Sequence, residues 1–375
     1  GVLFAIGSST VMSIYRGANE ERKMHEVFTM NTITISCVAL CIAVLSFINS
    51  HHITEFLGAN SDVFNYTDTY IKMLSCFSFF YIVSYCFEVL LKADGFPQKS
   101  IMGICLGAGT NLILDPLFMG PLNMGIAGAA LATGLSQLVT FCFFFYHFAF
   151  SHKSHFHFVK ANYPWHEYSR ILALGLPDCI SEISPGIMIT VFNYRINQLL
   201  GTNGLVTFTV LMYIYNLVLM VMVGTSQGTQ PLVSFYYGRN DKKAVSTLHK
   251  YARVLVSCAG ALLFLVVEIF APNITSAFIP KDTANYYNTI IALRQFSFVF
   301  LIMGHVVITS GYMVALEEPR KAFVLSISRG ILFVLLSLFI CTTLFKENGI
   351  WISCTISEIF CLSIALYDLK TQKKI

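Results

Sequence analysis

The chain repeats itself. Gly228 to Lys243, GTQPLVSFYYGRNDKK, has a weaker copy at Gly7 to Arg22, GSSTVMSIYRGANEER, 221 positions earlier. At that offset Gly7 falls on Gly228, Ser13 on Ser234, Tyr15 on Tyr236, Gly17 on Gly238 and Asn19 on Asn240. The register persists downstream, where Ser36-Cys37 falls on Ser257-Cys258 and Ile53-Thr54 on Ile274-Thr275. With a slip of one residue Pro97 and Lys99 fall on Pro319 and Lys321, and with a slip of three Gly125-Ile126 falls on Gly349-Ile350. A duplication of this length confines the chain to two copies of one architecture.

The solvent of that architecture is lipid. Hydrophobic residues make up 55% and charged residues 12%, and mean hydropathy is +0.67, far from the mix of a soluble domain. Crossing about 30 Å of hydrocarbon takes roughly 20 apolar residues. Such runs are read at about 1–15, 29–50, 71–91, 100–120, 125–150, 172–199, 206–236, 252–271, 289–316, 323–345 and 349–367. The segments 16–26, 92–99, 151–170, 239–253, 317–329 and the tail from Tyr367 hold 19 of the 24 lysines and arginines. By the positive-inside bias they are cytoplasmic, the C-terminus included. The sequons at Asn65 and Asn273 then face outward. The eleven cysteines form no CxxC pair and read as small apolar residues rather than a disulfide or metal framework.

The repeat predicts an all-α membrane protein of two parallel six-helix bundles. Residue 1 corresponds to about residue 222, so a first span and half of the second are expected to be missing from the sequence given. The expected division is an N-terminal lobe over 1–150 (spans 2–6), a cytoplasmic linker over 151–170 and a C-terminal lobe over 171–375 (spans 7–12). Parallel repeats of this kind occur in secondary transporters that rock one lobe against the other.

Ionisable residues inside spans are the first functional candidates, because burying a charge at mid-bilayer costs about 2.5–3.5 kcal/mol or more. Asp115 stands out. Asn111 lies one turn earlier on the same face, and Pro116 kinks the helix and frees a carbonyl. A carboxylate, an amide and a free carbonyl suit a proton or Na⁺; the bland alternative is a carboxylate that pins a bent helix. In the next span Gly125, Gly128, Ala129, Ala132, Thr133 and Ser136 form a small-residue packing face, and Thr133 and Gln137 add possible oxygen ligands. Asp178 and Glu182 share a face between Pro177 and Pro185, which reads as a broken helix contacting ion or substrate; Asp178, near the cytoplasmic edge, reads rather as a solvated end, and Glu182 lies deeper. Glu358 and His305 lie mid-span, where a packed, paired residue is the better reading than a proton relay. Glu88 and Glu268 lie near span ends and read as snorkelling to water. His152, His155 and His157 read as part of a basic loop rather than a metal tract. Met212, Tyr213, Tyr215, Asn216, Met220 and Met222 offer the aromatic and polarizable wall of a cavity that accepts varied organic cations.

Taken together, GTQPLVSFYYGRND, GLPDCISEISPG, LDPLF followed by MGIAGAALAT, and the echo RGANEE resemble the multidrug and toxic compound extrusion (MATE) family, most closely its MepA-like branch, over the whole chain. The resemblance implies twelve spans in two lobes and export of cationic amphipathic compounds coupled to inward H⁺ or Na⁺. It implies a cation site at Asn111, Asp115 and Thr133, with a further carboxylate on the first span. A second-lobe site found in some branches pairs a helix-seven Glu, for which Glu182 stands here, with a helix-ten Asp; span 289–316 contains no Asp.

The reading is a secondary multidrug antiporter in a bacterial plasma membrane, monomeric, with no cofactor beyond the coupling ion and no nucleic-acid partner. A lipid-linked saccharide flippase of the same superfamily calls for a basic cavity, and only Arg195 and Arg294 are available in the spans. An intramembrane enzyme calls for a nucleophile and base or a metal cluster, and no HExxH and no cluster of His and Asp occurs in any span.

Overall fold

The computed structural model describes residues 1–160 and 165–372. Among these, every regular element is a helix. They run α1 Val2–Gly17, α2 Glu21–Ile48, α3 Ser50–Phe56, α4 Ser61–Ala93, α5 Pro97–Met119, α6 Gly125–Phe150, α7 Trp165–Gly238, α8 Lys242–Ser276, α9 Ala284–Ser297, α10 Phe300–Ala315, α11 Pro319–Ile327, a π-helical turn Ser328–Leu332, and α12 Phe333–Gln372. Among the described residues seven helices are long and apolar enough to cross a membrane, or eight if α9 and α10, bent by 42°, count as one. Their outer faces are apolar and open, as with Leu45 and Ile48 on α2 at 60% and 70% exposure, which suits lipid.

The duplication is visible in the backbone. Asn19 and Asn240 both take the left-handed conformation, φ 59° and 57°, a strained choice for a residue with a Cβ that ends a helix sharply. In each copy the chain closes the same way: the Glu20 amide donates to the Tyr15 carbonyl (2.9 Å) and the Asp241 amide to the Tyr236 carbonyl (3.0 Å). Gly95 and Glu317, one slip later, repeat this with φ 92° and 59°, and with bonds of 2.9 Å from Phe96 to Leu91 and from Glu318 to Met313.

The breaks fall elsewhere than the prolines suggest. In α7 the non-helical residue is Gly201 (φ 61°, ψ −153°), so α7 is two spans, and the chain passes Pro177 and Pro185 without leaving helical dihedrals. Hydroxyls of Ser181 and Ser184 donate back to the Pro177 and Ile180 carbonyls (3.0 and 2.6 Å) within the same stretch. The broken helix expected between these prolines is therefore replaced by a continuous one. α12 turns at Lys346 (φ 50°, ψ −124°). α5 continues through Pro116 to Met119.

The chain forms two compact units, residues 1–175 and 176–375. In the first, the segment after α6 is fastened to the helix ends. Asp94, fully buried, accepts from His147 Nε2 (2.9 Å), from the His155 amide (2.8 Å) and from His155 Nδ1 (3.0 Å). Lys99 Nζ donates to the other nitrogen of His147 (2.8 Å), and Arg16 Nη2 meets that of His155 (3.2 Å). Each imidazole thus lies between a cation and the carboxylate, which fixes its tautomer. Burial pushes the Asp94 carboxyl upward, but the hydrogen bonds from His147, His155 and Ser154 outweigh it and hold it below the usual aspartate range. Phe28, Phe148, Phe156 and Phe158 pack beneath. On the start of α7, Glu167 accepts from Tyr15 Oη and Arg170, and Arg170 also donates to Tyr15 (2.8 Å).

The second unit centres on Phe192, Phe208, Met212, Tyr215, Met222, Phe296 and Phe300. Arg329, grouped with the basic connections in the sequence, lies instead in the π-helical turn, its Nε bonded to Glu358 Oε1 at 2.7 Å. All eleven cysteines are free, and six of them lie on exposed faces rather than in the core.

Candidate functional site

Three helices of the first unit turn one face each toward a common cavity of about 390 Å³. From α4 come Tyr81, Ser84, Tyr85 and Glu88; from α5, Ile104, Gly107, Ala108 and Asn111. From α6 come Thr133, Ser136, Gln137 and Thr140, with Phe144 one turn beyond. Each set has the i, i+3, i+4, i+7 spacing of a single helical face. α5 and α6 approach closely beside it: a Cβ on Gly107 would lie 2.1 Å from Thr140 Oγ1, so no larger residue fits without displacing that hydroxyl.

At one end of this cavity Asn111 Nδ2 reaches Thr133 Oγ1 over a long 3.4 Å, and Thr133 donates onward to the Ala129 carbonyl at 3.0 Å. Asp115 follows Asn111 by one turn. Its Oδ1 is buried without a hydrogen-bond partner. Pro116 next to it lacks the N–H that the Leu112 carbonyl would receive in a regular helix. An unpaired carboxylate oxygen in an apolar span is costly; a proton or a small cation removes that cost. Asn111, Thr133 and Ala129 are thus linked between α5 and α6, Asp115 lies one turn beyond Asn111 on α5, and Gln137 joins Asn111 and Thr133 on the cavity wall.

Glu88, read in the sequence as an end residue reaching for water, lies on this wall and pairs with Lys92 at 2.7 Å. The signal for it was present: Tyr81, Ser84, Tyr85 and Glu88 make one continuous face.

The second unit holds a smaller cavity, about 40 Å³, lined among others by Ser181, Ser184, Tyr215, Arg329, Ser357 and Glu358. Glu358 Oε2, Arg329 Nη2 and Ser357 Oγ are buried without partners. That is room for a few waters, at about 10–15 Å³ each. The aromatic residue α7 contributes is Tyr215. Tyr213 is exposed and stacks on Phe278 at 5.8 Å, Met220 is exposed, and Asn216 is half-buried; none of the three lines this cavity, because they occupy other faces of α7. Asp178, expected as a solvated end, instead keeps a buried, unpartnered Oδ2, while Glu182, expected to lie deeper, is exposed. His305 meets Ser257 Oγ at 3.2 Å and belongs to neither cavity. Among the described residues no group of His, Cys, Asp or Glu is placed to hold a metal.

The MatE family model matches residues 1–117 and 177–343. The multidrug export protein MepA of Staphylococcus haemolyticus is 25% identical over 368 residues, covering 98% of this chain and 80% of that protein. MepA of Staphylococcus aureus (strain MRSA252) is 23% identical over 367 residues with the same coverage. Among solved structures, MATE in complex with MaL6 superposes with a TM-score of 0.93 at 21% identity, over 100% of this chain and 85% of that one. A MOP superfamily transporter from Pyrococcus furiosus, whose binding pocket is described as reversed in polarity, superposes with a TM-score of 0.92 at 21% identity, over 99% and 83%. These structures share the helical fold, and with more than half its length matched by the family model the chain belongs to the MatE family, whose members are membrane transporters and not enzymes.

Proposed function

We propose that this protein is a secondary multidrug exporter of the bacterial plasma membrane, moving small organic cations outward in exchange for inward H⁺ or Na⁺, as a monomer with its C-terminus in the cytoplasm. The observation that carries the coupling is Asp115: a carboxylate oxygen buried without a partner, one turn from an amide that is itself linked to Thr133. Binding a proton or Na⁺ there neutralises the interior of the first unit; releasing it restores the charge. The two ionic states have different electrostatic costs in an apolar bundle, and that difference is what a conformational equilibrium can follow. The names of the staphylococcal relatives support export of several drugs.

The available energy is adequate. One charge moving through 100 mV supplies about 2.3 kcal/mol, and each tenfold proton gradient about 1.4 kcal/mol. Asp115→Asn retains shape and hydrogen-bonding capacity but cannot ionise. Cells making this variant, with membrane insertion confirmed by immunoblot, should fail to expel a cationic dye. Export at the wild-type rate would remove Asp115 from the mechanism.

A further inference from the structure

The cavity of the first unit has one charged side chain on its wall among the described residues, Glu88. Asp115 is not part of that wall. Tyr81, Tyr85 and Phe144 supply aromatic surface to the same space, and about 390 Å³ is within the size range of pockets for drug-sized ligands. A lone carboxylate with aromatic rings around it is the arrangement that holds an aromatic or alkyl ammonium, by charge and by cation–π contact.

Glu88 is not left bare. Lys92 Nζ lies 2.7 Å from its Oε1, and the two side chains keep 21% and 18% of their surface exposed. Lys92 is in the last turn of α4 and is not part of the cavity wall. It reaches Glu88 along the helix from the end, as an i, i+4 partner. Partly solvated pairs of this kind are among the weakest ion pairs in proteins, and a lysine in a terminal turn can return its ammonium to water at little cost. Lys92 is therefore placed as a displaceable counter-ion.

We infer that Glu88 is the counter-ion for a singly charged organic ammonium in this cavity, that Lys92 occupies it when no substrate is bound, and that drug and coupling ion are held by different carboxylates, Glu88 and Asp115. This rests on the reading of the cavity as the place where organic cations bind, and sharpens it: one ligand charge is matched, and loading of Asp115 does not have to expel the drug by competing for the same oxygen.

The test is titration of the purified full-length protein with ethidium, a singly charged aromatic cation, followed by fluorescence, with the uncharged dye Nile red as control. Glu88→Gln should weaken ethidium binding tenfold or more. Lys92→Met, which removes the competitor, should tighten it about twofold. Nile red should bind both variants as it binds wild type. The opposite signs, with Nile red unchanged, separate the inference from loss of folding, since misfolding exposes apolar surface and would alter Nile red binding as well, and Lys92→Met stands as a test if Glu88→Gln cannot be purified. Unchanged ethidium affinity in Glu88→Gln, weaker ethidium binding in Lys92→Met, or an equal loss of both dyes would each overturn it. Dye export by Asp115→Asn is a separate readout: normal export there defeats the coupling scheme and leaves the ethidium titrations to decide the role of Glu88.

Discussion

Replacing Asp94 with alanine removes the acceptor on which one end of the first unit converges. Three N–H groups are aimed at its two oxygens at 2.8–3.0 Å, and the residue has no exposed surface. A hydrogen bond to a charged group contributes about 1.5–3 kcal/mol, while deleting the carboxylate also relieves its desolvation. The net loss expected is about 3–5 kcal/mol, the range for removing one partner of a buried charged pair. With an unfolding entropy of about 2.1 cal/mol/K per residue, a loss of ~4 kcal/mol lowers Tm by roughly 5 °C if the whole chain melts together, and roughly 11 °C if the first unit melts alone. Because hydrogen bonding holds this carboxyl below its ordinary range, its contribution is full above that range and is lost as pH falls through the lowered value. The assay is thermal unfolding in detergent followed by circular dichroism at pH 7 and in the acid range, with limited proteolysis of the segment after α6 as a local readout. A variant that melts within about 1 °C of wild type at pH 7, with that segment equally protected, would refute the reasoning.

Three further outcomes follow from packing and charge. Gly7 and Gly228 are equivalent in the repeat, yet a Cβ on Gly7 would lie 2.1 Å from the Ile171 carbonyl oxygen, whereas one on Gly228 meets nothing within 4 Å. Gly7→Ala should therefore cost about 1–3 kcal/mol and Gly228→Ala close to nothing, by thermal unfolding. Glu358→Leu should destabilise by about 3–5 kcal/mol by stranding Arg329, while the double change with Arg329→Leu should recover most of the loss; equal losses in single and double variants would show that the pair is not coupled. Thr133→Val removes the hydroxyl that Asn111 reaches and should slow ion-driven export while leaving the protein folded, as read by dye efflux and by unfolding temperature.

The spans and the duplication were legible because both depend on local pattern: apolar length for the first, and for the second a tyrosine, a glycine and an asparagine at a helix end, which the paired left-handed Asn19 and Asn240 explain. The link between Asn111 and Thr133 was expected from the family resemblance; the i, i+4 spacing placed Asn111 with Asp115. Glu88 was weighed alone by its depth, and its place on the cavity wall follows from the face it shares with Tyr81, Ser84 and Tyr85. Arg329 follows Pro319 and Lys321 closely enough to pass for a loop residue, and only the π-helical turn carries it inward to Glu358. His155 looked like loop composition because its partner, Asp94, is 61 residues away. Prolines drew attention as breaks, but α7 keeps helical dihedrals past them, and the turn occurs at Gly201, where positive φ is allowed.

The most direct measurement is exchange in proteoliposomes that hold the full-length protein, with ethidium outflow driven by an imposed pH gradient or an imposed Na⁺ gradient in turn. Wild type should move dye against its own gradient with at least one of the two ions, and Asp115→Asn with neither, while still allowing dye to equilibrate down its gradient. Gradient-driven accumulation by Asp115→Asn equal to that of wild type would contradict the claim that this buried carboxylate couples the ion to the drug.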